Sequence, residues 1–111
     1  AITLAEGVLF APVVGHLDSR RSAALTARLL EVAHAQRAHH VIIDISGVST
    51  VDSAVAQALI QTAQALRLLG CRVTLSGISS EVALTLTQQE IALSDIATVR
   101  SPQEALRRQQ M

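Results

Sequence analysis

The sequence predicts a single α/β domain with a mixed, mostly parallel sheet of four to five strands and about four packed helices. Short apolar runs rich in β-branched residues alternate with longer stretches in which apolar residues recur every three or four positions. A strand hairpin precedes this alternation, so the sheet is expected to become parallel after its first pair. The 111 residues suffice for one core without disulfide or metal support.

The first predicted elements are a hairpin and a helix. Residues Ile2 to Leu4 and Val8 to Val14 are β-prone, and Gly7 suits the strained position of the turn between them. An amphipathic helix is predicted from about Ser19 to Ala35, with Asp18 or Ser19 as its N-cap.

The stretch from His40 to Gly70 is the centre of the predicted fold. Its first part, Val41 to Ile45, reads as a buried strand, and a loop of small and polar residues follows. The next segment has the spacing of one helix face, and Gly70 stands where a helix stop is expected. Its predicted inward residues are Val55, Ala58, Leu59, Thr62, Leu66 and Leu69. Asp52 and Ser53 therefore lie at the junction of strand and helix, where a hydroxyl is either a plain cap or a site for an anion.

The remaining predicted elements complete the alternation. Residues Arg72 to Ser76 form a strand, and a helix starts at Ser79 to Glu81 and runs to about Gln88. A last strand is expected over Ala97 to Val99. The segment from Ser101 to Glu104 has the pattern of a capping box with proline at the first helical position, which predicts a final helix.

Composition excludes several classes of function. Nine basic and nine acidic residues balance, so the chain lacks the electrostatic footprint for a nucleic acid or an anionic membrane. Apolar runs fall short of the roughly 18 residues that span a bilayer. The single cysteine, Cys71, excludes an internal disulfide framework and is most simply consistent with a reducing, cytoplasmic compartment.

Motifs for catalysis or cofactor binding are not found in the sequence. The five glycines are scattered, and neither GxGxxG nor GxxxxGK occurs. Of the four histidines only His39 and His40 are close, and adjacent strand residues point to opposite faces, so no metal site is predicted. No nucleophile elbow surrounds Ser53, and Cys71 has no activating neighbour in sequence. No cofactor is therefore expected.

The sequence resembles the STAS domain, and within that family the Rsb type of stressosome scaffold proteins. The residues that carry the resemblance are DISGVSTVDSAVA from Asp44, RLLG from Arg67, GISSEVALTL from Gly77, LSDI and SPQEAL. The likeness runs from GHLDSRR near the N-terminus to SPQEAL, nearly the whole chain. Two departures are Ser80, where the family usually has proline, and Gln89–Glu90, where it usually has Leu-Gly.

The resemblance implies two phosphoacceptors. Ser53 matches the hydroxyl residue after the loop aspartate, and Thr85 matches the second phosphorylatable position, with Thr87 as a competing candidate. Asp44 and Asp52 are expected to support the Ser53 site. From the residues alone, Ser53 could instead be a helix cap, Asp44 could bond the end of its strand or the loop amides, and Thr85 could be ordinary surface.

The implied function is that of a phosphorylatable interaction module without enzymatic activity, the C-terminal part of a longer stressosome-type scaffold that controls a stress-response sigma factor by partner switching. Implied partners are a serine/threonine protein kinase and related STAS proteins, in a homodimer or a larger assembly. Two alternatives remain at this point. One is a stand-alone anti-sigma factor antagonist that binds an anti-sigma kinase, although Ala54 and Val55 follow Ser53 here instead of the usual S-G-L-G. The other is a small α/β enzyme.

Overall fold

The computed structural model describes residues 2–15, 18–48, 51–87 and 96–99 of the chain. These residues form five strands and three helices. In chain order they are β1 (Ile2–Ala5), β2 (Val8–Gly15), α1 (Ser19–Ala35), β3 (His40–Val48), α2 (Ser53–Leu68), β4 (Arg72–Ser76), α3 (Ser80–Thr87) and β5 (Ile96–Val99).

The strands form one sheet in the order β1-β2-β3-β4-β5. The first pair is antiparallel and the other three pairs are parallel, which confirms the predicted hairpin and the parallel sheet that follows it. Gly7 occupies the turn of the hairpin with a φ of 76°, a conformation that glycine adopts without steric cost. The carbonyl of Gly7 accepts hydrogen bonds from the amides of His39 and His40, which ties the hairpin to the start of β3.

All three helices pack on one face of the sheet. Alternate residues of the central strands face them, with Val41 and Ile43 of β3 and Val73 and Leu75 of β4 in the same apolar cluster as the helix residues. Because the strands follow one another in chain order, each crossover helix lies beside the next one on this face. The opposite face carries the smaller cluster of Val8, Ile42 and half-buried Phe10.

Helix α1 has the predicted bounds, and its cap is Asp18. The amide of Arg21 donates to Asp18 Oδ1 at 2.8 Å, which satisfies one of the free N–H groups of the first turn. The structure thereby chooses between the two capping residues that the sequence left open. Ser19, the other candidate, is the first residue of the helix.

Helix α2 buries a wider arc than the sequence predicted. Val55, Leu59, Thr62 and Leu66 are buried as expected, but Leu69 lies beyond the helix and is 45% exposed. The buried set also contains Ala56, Ile60 and Ala63. Apolar residues spaced along one helix face predict burial against a single neighbouring element, whereas α2 packs against α1, α3 and the sheet at once. Gly70 follows with a φ of 90°, so the predicted helix stop is confirmed.

Strand β4 has the predicted bounds. Helix α3 begins at Ser80, the second of the three residues at which the sequence predicted its start. The hydroxyl of Ser79 accepts a hydrogen bond from the amide of Val82 at 3.2 Å, so Ser79 lies outside the helix and caps it. The final helix predicted from Ser101 lies outside the described residues.

Candidate functional site

Three of the predicted site residues, Asp44, Asp52 and Ser53, lie toward the carboxyl edge of the sheet. Strands β3 and β4 are parallel neighbours, and Asp44 of β3 is paired in register with Ser76 of β4. The pairing of the two strands ends there: β4 stops at Ser76, β3 runs on to Val48, and the helices that follow both strands begin beyond this edge. The sheet brings together two segments that are separated in sequence, one leading to Ser53 and the other to Thr85.

Asp52 and Ser53 have different roles at the start of α2. Asp52 is the N-cap: its backbone is extended, and its Oδ1 accepts a hydrogen bond from the amide of Val55 at 2.9 Å. Ser53 is the first helical residue and is exposed. Its hydroxyl makes no hydrogen bond to the residues that the structure describes. The alternative in which Ser53 serves as the cap is therefore wrong, because Asp52 fills that role.

The Asp44 carboxylate is half-buried and is bonded to two serine hydroxyls. Ser46 donates to Oδ2 at 2.6 Å, and Ser76 of the neighbouring strand donates to Oδ1 at 2.7 Å. Ser76 is fully buried, whereas Ser46 is exposed. Asp44 lies on the same side of β3 as Ile42, which is the face turned away from the three helices. It thus joins the middle of β3 to the end of β4 through hydroxyl groups.

Thr85 and Thr87 both lie in the second half of α3. The half-buried Thr85 donates its hydroxyl to the carbonyl of Glu81 at 3.1 Å, and the exposed Thr87 donates to the carbonyl of Leu84 at 2.8 Å. Bonds of this kind to the preceding turn are common for threonine in helices. Both threonines stay candidates for the second phosphoacceptor.

Sequence reasoning did not single out Ser46 and Ser76. The position of Ser46 two residues after Asp44 was a usable signal, because residues two apart on a strand share a face. Ser76 had no comparable signal. Its contact with Asp44 depends on which strands are neighbours and in what register, and both are properties of the folded sheet.

The described residues offer little for catalysis. They contain no group of three histidine, cysteine, aspartate or glutamate side chains arranged to hold a metal ion. The strand order runs 1-2-3-4-5 without the reversal that opens a ligand crevice in doubly wound sheets. Burial raises the pKa of the Cys71 thiol, which therefore stays protonated and donates to the carbonyl of Ala38 at 3.2 Å.

A shallow groove lies on the helical side of the molecule, and Ala54, the residue after Ser53, is part of its lining. It has a volume of about 590 Å³ and runs between α1 and α2. Small and uncharged side chains line it, namely Ala23, Thr26, Ala27, Leu30, Ala54, Ala58, Gln61 and Ala65. At its base the hydroxyls of Thr26 and Thr62 lie 2.5 Å apart and join the two helices. Exposed Ser53 thus stands between the Asp52 carboxylate and a groove whose lining side chains carry no charge.

This arrangement is that of a STAS domain, and the family comparison agrees: the model of the STAS domain matches residues 1–105. The chain belongs to the STAS domain family. Among individual proteins it is similar to two RsbT co-antagonist proteins of Bacillus subtilis strain 168. It is 37% identical to RsbRB and 35% identical to RsbRA, each over 105 residues that make up 95% of this chain and 38% of the relative. The chain thus spans less than two-fifths of the length of these curated relatives.

Solved structures support the same grouping. An RsbS variant of Moorella thermoacetica superimposes with a TM-score of 0.84 and 25% identity, covering 98% of this chain and 94% of the other. A chain from the structure described as the molecular architecture of the stressosome gives a TM-score of 0.82 and 26% identity, covering 99% and 96%. The sequence-based recognition of an Rsb-type STAS domain is confirmed.

The fold extends to more distant proteins. The anti-sigma factor antagonist SpoIIAA in its unphosphorylated form has a TM-score of 0.72 at 15% identity, covering 98% of this chain and 94% of the other. That level of identity shows a shared fold alone. In the part of the chain that the structure describes, no helix combines the length and apolar character needed to cross a membrane.

Proposed function

We propose that this chain is a phosphorylatable interaction module of a stressosome-type assembly in the bacterial cytoplasm, and that Ser53 is its principal phosphoacceptor. Its partners on this proposal are a serine/threonine protein kinase and related STAS proteins, in a dimer or a larger assembly that controls a stress-response sigma factor. The chain itself carries out no chemistry. The similarity to RsbR co-antagonists and RsbS supports the proposal.

The observation that carries the proposal is the environment of Ser53. The neighbouring Asp52 satisfies the capping requirement of α2, so the Ser53 hydroxyl is not needed to hold the helix. It is exposed at the helix start, and the next residue, Ala54, lines an uncharged groove. A kinase can therefore reach it, and a partner that packs over this part of the surface would cover it.

Electrostatics explains how phosphorylation would switch binding. A phosphate adds about −1.5 to −2 charges. The start of a helix stabilises a negative group by about 0.3–1 kcal/mol, whereas a carboxylate about 4 Å away repels each unit of charge by about 4 kcal/mol at an effective dielectric near 20. Water relieves the repulsion from Asp52 when the site is exposed. A docked protein excludes that water, so the modification should weaken an interface more than it weakens the fold.

The test compares Ser53→Asp with the neutral, nearly isosteric Ser53→Asn. We expect Ser53→Asp to lower the affinity for an RsbT-type kinase from the same genome by about tenfold or more, equivalent to about 1.4 kcal/mol, and Ser53→Asn to bind almost as the wild type does. Isothermal titration calorimetry measures the affinities, and thermal unfolding checks that both variants keep the wild-type stability. Full affinity in Ser53→Asp would refute the charge switch.

A second measurement addresses the modification itself. Mass spectrometry of the protein isolated from its own cells, before and after stress, should find phosphate on Ser53 and should distinguish Thr85 from Thr87 as the second acceptor. Loss of the phosphopeptide in Ser53→Ala is the control. If Ser53 carries no phosphate under any stress that changes the pathway output, the assignment of this residue is wrong.

Size-exclusion chromatography with light scattering separates the scaffold from a stand-alone antagonist. The scaffold is expected to form dimers or larger assemblies, whereas a stand-alone antagonist would be a monomer that binds an anti-sigma factor.

A further inference from the structure

The outward side of α2 is free of charged residues from Ser53 to Leu66. The exposed residues of this stretch, which we call the α2 face, are Ser53, Ala54, Gln57, Gln61 and Gln64. The solvent side of a helix usually carries charged residues, whereas the buried centres of protein interfaces are depleted in them. The α2 face therefore has the composition of a contact surface.

A pair of exposed leucines continues the α2 face at the end of the helix. The groove between α1 and α2 is lined on its α2 side by Ala54, Ala58, Gln61 and Ala65. Leu68 follows Ala65 by three residues and Gln61 by seven, so it lies in the same row along the helix. Leu68 is 89% exposed and Leu69 is 45% exposed. Two adjacent leucines in water beside an uncharged groove indicate a surface that another protein covers.

The two ends of the groove differ in a way that suits a second copy of this chain. Ala23 and Ala54 stand near the starts of α1 and α2 and leave space there, whereas Leu68 is the last residue of α2 and projects at the far end. Ala54 and Leu68 each lie seven residues from Gln61. A two-fold axis at Gln61 therefore sets Leu68 of each copy against Ala54 of the other, and the small side chain makes room for the large one.

Hydrogen bonding and charge favour the same antiparallel arrangement. The Gln61 amide carries both donors and an acceptor, so it can bond to Gln61 of the second copy across the axis. Antiparallel α2 helices also set opposite ends of their dipoles beside each other. A parallel arrangement would instead bring the two exposed Asp52 carboxylates to one end of the contact and leave a gap between the two Ala54 methyl groups.

We propose that the α2 face is a self-association surface on which a second copy packs antiparallel, with Gln61 on the two-fold axis and Leu68 of each copy in the alanine-lined end of the other copy's groove. The contact extends along one helix of 16 residues, about 24 Å, so a single pair is weak and suits an assembly that repeats it. Ser53 stands at the end of this contact. A second copy therefore limits the access of a kinase to Ser53, a consequence that rests on the proposed function.

Sedimentation velocity of the chain from about 1 μM to about 1 mM, the range of dissociation constants of weak complexes, tests the association. We expect the wild type to shift from monomer to dimer within this range, and Leu68→Ser to raise the dissociation constant by about tenfold or more, because Leu68 fills a pocket at the contact. Leu84→Ser is the matched control. Leu84 of α3 is 63% exposed but lies off the α2 face, so its substitution should leave the dissociation constant unchanged.

Chemical cross-linking tests the antiparallel geometry. In a Cys71→Ala background, which removes the native thiol, Gln61→Cys should be linked to its counterpart in the second copy by a short bismaleimide, because both copies present this residue at the axis. Leu84→Cys in the same background should stay uncross-linked. Circular dichroism checks that each variant keeps the wild-type fold.

Three outcomes would overturn the proposal: a wild type that stays monomeric over the whole range, an equal effect of Leu68→Ser and Leu84→Ser, or no cross-link through Gln61→Cys where the wild type is dimeric. Absence of phosphate from Ser53 in cells would instead count against the proposed function alone, since self-association requires no modification.

Discussion

Asp52 and Ser53 are neighbours in the chain, but they make different contacts. The Asp52 carboxylate is committed to the amide of Val55, and the Ser53 hydroxyl is exposed. The difference follows from position at the helix start, because the N-cap side chain reaches back over the free N–H groups while the next side chain points outward. An aspartate cap thus leaves the serine available for modification.

Cys71 permits a test of burial at the residue scale. The thiol is 3% exposed, and burial raises its pKa above the ordinary value of 9.0. As pH rises through 9.0 the unfolded chain loses the thiol proton while the folded chain keeps it, so the free energy of unfolding should fall by up to about 1.4 kcal/mol per pH unit. The chain has no lysine and no tyrosine, so few other groups titrate in this range.

Urea unfolding in reducing buffer at pH 8, 9 and 10 measures this dependence. Cys71→Ala is the control, and its free energy of unfolding should not show this fall above pH 9. Equal pH dependence in Cys71→Ala and the wild type would show that the thiol does not stay protonated in the folded chain.

At the scale of elements, α1 and α2 begin in the same way. Asp18 accepts from the amide of Arg21, and Asp52 accepts from the amide of Val55, each at the third residue after the cap. Neither helix has an acidic residue in its first turn, so the cap aspartate is the acidic residue that each helix start itself supplies to its dipole. The two caps should therefore contribute similarly to the free energy of unfolding.

Asp52→Ala should lower the free energy of unfolding by about 0.5–2 kcal/mol, because it leaves an N–H group of α2 unsatisfied. Asp52→Ser should retain most of the stability, since its hydroxyl can accept the same bond. Asp18→Ala provides the matched loss at the other helix. Urea denaturation monitored by circular dichroism measures all three, and equal stability of Asp52→Ala and Asp52→Ser would contradict the capping role.

At the scale of the molecule, the core is built almost entirely from aliphatic side chains. Phe10 is the single aromatic residue of the chain and lies half-buried on the sheet face away from the helices. The main core lies between the sheet and the three described helices, and residues of α2 such as Ile60 are fully buried within it. Its stability therefore depends on many close contacts between branched side chains.

Ile60→Ala should destabilise the chain by about 2–5 kcal/mol, because it leaves a cavity in the core. Leu68→Ala, near the end of the same helix where the side chain is 89% exposed, should change stability by less than about 0.5 kcal/mol. Chemical denaturation measures both. Similar losses in the two variants would mean that α2 is not packed as described.

The sequence by itself determined the local elements. The bounds of α1 and β4, the hairpin turn at Gly7 and the stop at Gly70 were all predictable, because periodicity, caps and glycines act over a few residues. The family was also predictable, since its motifs lie in short stretches around Asp44, Ser53 and Gly77.

Tertiary structure decided what depends on distant parts of the chain. It left Leu69 exposed while burying Ile60, and it paired Asp44 with Ser76 across 32 residues. These outcomes depend on which strands are neighbours, in what register, and on how many elements α2 packs against. Such contacts are set by the packing of the whole molecule, so a local sequence pattern does not predict them.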